Sequence, residues 1–167
     1  MNRGLNILKR SSIFKDLSKL SFDYVPDDLP GREKEIEKLG ILFRPVIYNQ
    51  MGQNALIRGP VGSGKTAVVK RFCYMLKEAG LDNKRRIEWT HINCRTRKSE
   101  SMVMLSILRH FDTRFPDRGF SIPEMMEILK KHIKKRECHL VIVLDEADVL
   151  LKKSGSDLIY SFTRLQE

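Results

Sequence analysis

Cysteine is scarce: Cys73, Cys94 and Cys138 are the only three in 167 residues, odd in number and scattered, with no C-x-x-C spacing. That excludes a disulfide framework and a cysteine-built metal site, and it suits a reducing cytosol. Long apolar runs are missing too. The longest aliphatic run, residues 140–144, is strand-sized, far short of a membrane span. Near the N terminus there is no apolar block of the kind secretion needs; Arg3, Lys9, Arg10 and Lys15 precede the first acid, Asp16. No internal repeat or low-complexity tract interrupts the chain. Acids are in deficit, with 21 Asp and Glu against 31 Lys and Arg, a net charge of +10 and a pI near 9.7. Such a balance favours a polyanionic partner, although a solvated lysine-rich surface accounts for the charge almost as well. With 41% hydrophobic and 31% charged residues, the composition is that of one folded domain with a real core.

What is present centres on Gly59-Pro60-Val61-Gly62-Ser63-Gly64-Lys65-Thr66, behind the short apolar run of residues 54–58. This is the G-x-x-x-x-G-K-[ST] pattern between an expected strand and an expected helix. The glycines let successive N–H groups turn into one concavity that fits a β-phosphate. Lys65 reaches the β/γ oxygens as a point charge, and the Thr66 hydroxyl can ligate Mg²⁺. Ala67, Val68, Phe72, Met75, Leu76 and Ala79 recur at helical spacing, with Gly80 as the expected stop. A helix starting at Lys65 aims its positive dipole end at the phosphates. Gly62, Ser63, Gly64, Lys65, Thr66 and Ala67 are therefore the candidate nucleotide-binding residues.

Upstream, residues 1–24 form a basic arm with one short helix expected near residues 13–20. Two prolines, Pro26 and Pro30, make the next stretch a turn-rich link. From Arg32 the pattern is helical, with Pro45 expected to kink or end it. Downstream, Lys84, Arg85 and Arg86 precede a second strand over residues 87–94. A helix over residues 99–111 follows, then a loop carrying Arg114 and Arg118. Ser121-Ile122-Pro123-Glu124 is a capping box opening the next helix. The aliphatic run 140–144 is the third strand, expected to be buried on both faces as in a parallel sheet. A last short helix is expected over residues 157–167.

That third strand ends in Asp145-Glu146, eighty positions after Lys65 and at the edge where open α/β sheets place their ligands. Asp145 is the candidate Mg²⁺ holder beside Thr66. Glu146 is the candidate base that polarises the attacking water, and with Lys65 makes up the catalytic pair. Asp148 fits a capping role as well as a chemical one.

An apolar strand ending in Asp-Glu after a G-P-x-G-S-G-K-T loop resembles the AAA+ ATPases. Within them, the chain is similar to the archaeal origin-recognition (ORC/CDC-type) replication initiators in three further stretches. These are Tyr24-Val25-Pro26 through Leu29-Pro30-Gly31-Arg32-Glu33, then Asn93-Cys94-Arg95, and the helix–loop–helix around residues 111–121. The resemblance implies an α/β fold: a P-loop NTPase αβα subdomain over residues 25–167 with a mostly parallel sheet, truncated after its third core strand. It implies ATP or ADP with Mg²⁺ as cofactors and Val25 and Pro26 against the adenine, although these two also suit a staple between arm and core. It implies Arg114 and Arg118 on double-stranded origin DNA, although both also read as solvated loop charges. The replicative helicase and other initiator subunits are the implied partners, with a cytoplasmic, nucleoid-associated location and no membrane.

Members of that family continue through a fourth strand lying between the first and third, an arginine finger, a helical lid and a winged helix. The resemblance therefore implies a gap or improvised pairing in this sheet, and weak turnover, since arginine fingers contribute roughly 10³–10⁵ in P-loop enzymes. Two other readings compete. One is a nucleic-acid helicase, suggested by Asp145-Glu146-Ala147-Asp148 but without strand-contact motifs between residues 70 and 140. The other is a nucleotide-binding loader or interaction module that does not turn over.

Overall fold

The structure is a computed structural model that describes residues 24–165; the basic arm and the helix expected in it lie outside the described residues. Six helices and two strands follow in the order α1 (Glu33–Tyr48), α2 (Lys65–Asp82), β1 (Arg86–Asn93), α3 (Glu100–Phe111), α4 (Ile122–Arg136), β2 (Cys138–Asp145), α5 (Ala147–Ser154) and α6 (Asp157–Thr163). The strands pair in parallel, from Arg86 opposite Cys138 to Asn93 opposite Asp145.

Alternation along the strands sorts the side chains into two cores, one per face. Ile87 and Val141 meet α1 and α2 through Phe43, Val46, Ile47, Phe72 and Leu76. The Phe43 and Phe72 rings meet edge to face at 5.3 Å. Ile92, Leu140, Ile142 and Leu144 point the other way, into a larger core with α3, α4, α5 and α6. There Met104, Ile107, Leu108 and Leu129 are wholly buried. The result is three layers: α1 and α2, the sheet, then α3 and α4.

Helix ends follow local chemistry. Ser121 and Glu124 form the full capping box, with Ser121 N–H and Oγ–H donating to Glu124 Oε2 at 2.8 and 2.7 Å. Ser99 caps α3 by accepting from the Met102 N–H. Pro45 does not end its helix: α1 runs on to Tyr48, and the Pro45 carbonyl accepts from the Asn49 N–H at 2.9 Å. Lying in the final turn, the proline removes one hydrogen bond with little helix left to disrupt.

Three expectations need correction. Residues 54–58 are not a strand. They are exposed and unladdered, with Leu56 at 83% exposure, because a strand exists only where a neighbour pairs its backbone, and no neighbour among the described residues does so. This is the gap that the family resemblance implied. For the same reason β2 is only half-buried along most of its length instead of enclosed on both faces.

Gly80, in turn, is not a stop, since α2 continues to Asp82. Glycine is required there by close approach: a Cβ would lie 2.8 Å from the Ile87 side chain and 2.9 Å from the Arg85 carbonyl oxygen. Gly80→Ala should therefore destabilise the fold by about 1–3 kcal/mol despite alanine's better helix propensity, read as a lowered urea midpoint.

Candidate nucleotide-binding site

The phosphate loop turns through two left-handed glycines, Gly62 (φ +77) and Gly64 (φ +82), conformations costly for any residue with a Cβ. Gly64 is the N-cap of α2, no side chain caps that end, and the first turn holds no acid. The leading N–H groups of an 18-residue helix are thus left without side-chain acceptors at its positive end, an arrangement that favours an anion. Lys65 Nζ curls over the loop and donates to the carbonyls of Gly59 and Pro60 at 2.8 and 2.7 Å.

Across the 79 positions between them, the Thr66 hydroxyl donates to Asp145 Oδ2 at 2.7 Å. The parallel register makes this meeting possible, since it carries Asp145 to the same rim of the sheet as the start of α2. Asp145 Oδ1 accepts from the Glu146 N–H at 3.0 Å, and His91 Nε2 lies 3.2 Å from Oδ2. Burial pushes the Asp145 pKa up, but the Thr66 and His91 hydrogen bonds, with the His91 charge, outweigh it and hold the carboxyl below its usual range. These groups line a polar cleft of about 580 Å³ that also includes Asn93, Thr96, Arg97 and Glu146.

Glu146 has left-handed backbone (φ 53) at the N-cap of α5. Its Oε2 is shielded from solvent and lies 2.5 Å from Arg95 Nε, an ion pair whose angles fall outside hydrogen-bonding geometry. Asp148 caps nothing and stays out of the cleft, pairing with Lys152 at 3.5 Å along α5.

Two arginines draw the upstream segment onto this machinery. Arg32 Nη2 donates to the Ser63 carbonyl at 2.6 Å, inside the phosphate loop, and Arg71 on α2 pairs with Asp27 at 3.1 Å. Half-buried Val25 and exposed Pro26 are thereby held beside α2. His91 and Arg32 carried no assigned role in the sequence. The signal for His91 was its place two residues before the end of β1, on the rim shared with Asp145.

Among the described residues no cluster of three or more His, Cys, Asp or Glu side chains could hold a metal alone. The adjacent Thr66 and Asp145 oxygens nevertheless fit Mg²⁺, which takes one or two protein oxygens and completes its shell with phosphates and water. Burial pushes the Cys73 thiol up to about 12 and the Cys94 thiol to about 11, so neither is a thiolate at neutral pH.

Arg114 and Arg118 sit elsewhere, exposed on the loop between α3 and α4. That loop is well fixed. Arg109 donates twice to the Phe115 carbonyl, at 3.1 and 3.0 Å, and pairs with Asp117 at 2.8 Å. Phe115 is buried against Phe120, with ring centroids 5.1 Å apart.

A phosphate loop opening a helix, facing a carboxylate at the end of a parallel strand, defines the P-loop nucleotide-binding class. The chain belongs to the AAA ATPase domain family, whose model matches residues 28–167. It is 32% identical over 162 residues to ORC1-type DNA replication protein 2 of Sulfurisphaera tokodaii, covering 96% of this chain and 39% of that protein. It is 34% identical over 165 residues to ORC1-type DNA replication protein 1 of Archaeoglobus fulgidus, covering 99% and 40%. Among solved structures, the Aeropyrum pernix ORC1 protein in complex with DNA superposes with a TM-score of 0.81 at 33% identity, covering 92% of this chain and 40% of that one. The chain thus spans about two fifths of the length of the curated relatives it matches. No helix among the described residues is long and apolar enough to cross a membrane.

Proposed function

We propose that this chain is the nucleotide-binding portion of an ATP-switched DNA replication initiator that recognises double-stranded origin DNA and helps load the replicative helicase with other initiator subunits. The observation that carries the ATPase part is the 2.7 Å hydrogen bond from Thr66 to Asp145 beside the glycine loop. Lys65 and the N–H groups of residues 62–67 bind the phosphates; Thr66 and Asp145 would hold Mg²⁺, which when bound would supply positive charge to neutralise the triphosphate. Glu146 orients and polarises the attacking water. Val25 and Pro26 lie against the adenine. Similarity to ORC1-type proteins supports the initiator part, and the fixed, outward-facing loop with Arg114 and Arg118 supports duplex contact.

A duplex-binding titration across salt concentrations tests the DNA reading. Each phosphate contact contributes about 0.9 to the slope of log K against log salt, so losing Arg114 and Arg118 together should flatten it by about 1.8. Binding and slope unchanged in the double variant would take the loop off the DNA surface. Unwinding of the duplex would favour a helicase instead.

A further inference from the structure

The other end of the sheet, where the strands begin, carries a second cavity of about 570 Å³ with a different character. Its walls bring together Lys77 from α2, Lys84 and Arg85 from the turn before β1, Arg86 and Trp89 from β1, and Arg136 from the end of α4. Five cations face a single carboxylate, Glu88, which is itself engaged by Arg86 at 2.6 Å, Arg136 at 3.1 Å and His110 at 3.3 Å. Burial pushes the Glu88 pKa up, but these partners outweigh it and keep the group ionised. No carboxylate among the described residues pairs with Lys77, Lys84 or Arg85, and Arg85 faces the neutral amide of Gln50. Among the described residues the excess positive charge is therefore uncompensated, and it is gathered in a concavity where it acts on a ligand more strongly than scattered surface lysines do.

The position of this cavity indicates what fills it. Arg136 Nη1 contacts Glu88 while Nη2 donates to the Phe111 carbonyl at 2.8 Å. Phe111 is the last residue of α3, immediately before the loop that carries Arg114 and Arg118. One guanidinium thus joins the cavity wall to the root of that loop. The cavity wall and the start of the loop are therefore neighbours, so a duplex seated on the loop runs beside the cavity.

We propose that the Lys77–Lys84–Arg85 cavity is a second DNA contact, taking the phosphodiester backbone of the duplex held by the loop after Phe111. This rests on the DNA-binding reading above and extends it to a surface on the rim opposite Thr66 and Asp145, so ATP and DNA do not compete for it.

The chain supplies its own reporter, since Trp89 is the only tryptophan and lines the cavity, with Tyr74 edge-on at 5.0 Å. Iodide quenching of tryptophan emission, measured with and without duplex DNA at low salt, reads occupancy directly. Bound duplex should lower the quenching constant several-fold, and saturating ATP should not. In the Lys84→Gln, Arg85→Gln double variant the salt slope for DNA should flatten by about 1.8, with ATP affinity retained. Undiminished quenching in the DNA complex overturns the proposal, as does an unchanged slope in that variant. Equal shielding by inorganic phosphate would make this a free-phosphate site, and shielding by oligoglutamate but not DNA would make it an acidic-peptide site; either result overturns it. A slope flattened by losing Arg114 and Arg118 but not by the Gln pair removes this inference alone, whereas no duplex binding by the unmutated protein removes the DNA reading itself.

Discussion

Lys65→Ala is expected to remove ATP binding at working concentrations, the largest single effect available in this molecule. The ammonium is the one side-chain cation that the phosphate loop itself supplies to the β/γ oxygens. Losing two charge-assisted hydrogen bonds at about 1.5–3 kcal/mol each predicts an affinity drop of roughly 10²- to 10⁴-fold. Thermal or urea unfolding in the presence of ATP gives the reading. At an ATP concentration one hundred times its Kd, the unmutated protein gains about 2.7 kcal/mol from ligand, whereas a hundredfold weaker variant gains about 0.4 kcal/mol. Without ATP the two should differ little, because the hydrogen bonds from Lys65 Nζ to the Gly59 and Pro60 carbonyls lie exposed on the loop, where water replaces them at small cost. An alanine variant that kept the full ATP-dependent gain would mean that the loop binds no triphosphate through Lys65, and the nucleotide reading would fall with it.

The helices and one rim of the sheet were legible from sequence because their causes are local. Helical spacing placed α2 behind Lys65, and the Ser121–Glu124 box marked the first residues of α4. Residues 54–58 misled because a strand is a property of a pair: the same apolar run that reads as a strand is an exposed segment when nothing pairs with it. Gly80 misled for a related reason. Its glycine answers to Ile87 on β1 and to the Arg85 carbonyl in the turn before it, and not to its own helix. Thr66 and Asp145 could be matched across the chain because each belongs to a recurrent pattern. Arg32 on Ser63, His91 beside Asp145 and Arg95 on Glu146 depend on strand register and turn geometry that no spacing rule encodes. The contribution of Arg109 was hidden in the same way, since it acts on the carbonyl of a residue six positions away.

Glu146→Gln separates a hydrolase from a module that only binds. The substitution preserves volume and removes the charge, so a group acting as general base loses its proton acceptor. Turnover should fall by about 10²–10⁴-fold, in single-turnover as well as steady-state assays. ATP affinity should hold, because Lys65, Thr66 and the loop N–H groups are untouched, so the variant should carry ATP rather than ADP through gel filtration. Stability should hardly change. The ion pair to Arg95 joins an arginine side chain that is 71% exposed to a glutamate 37% exposed, and pairs so accessible contribute about 0–1 kcal/mol. A large drop in stability would instead assign Glu146 a structural part, in keeping with its left-handed backbone and its shielded Oε2. Identical retention of ATP by variant and unmutated protein, with no turnover in either, would place this chain among modules that read nucleotide without consuming it. The Thr66–Asp145 site would then act as a conformational latch set by which nucleotide it holds.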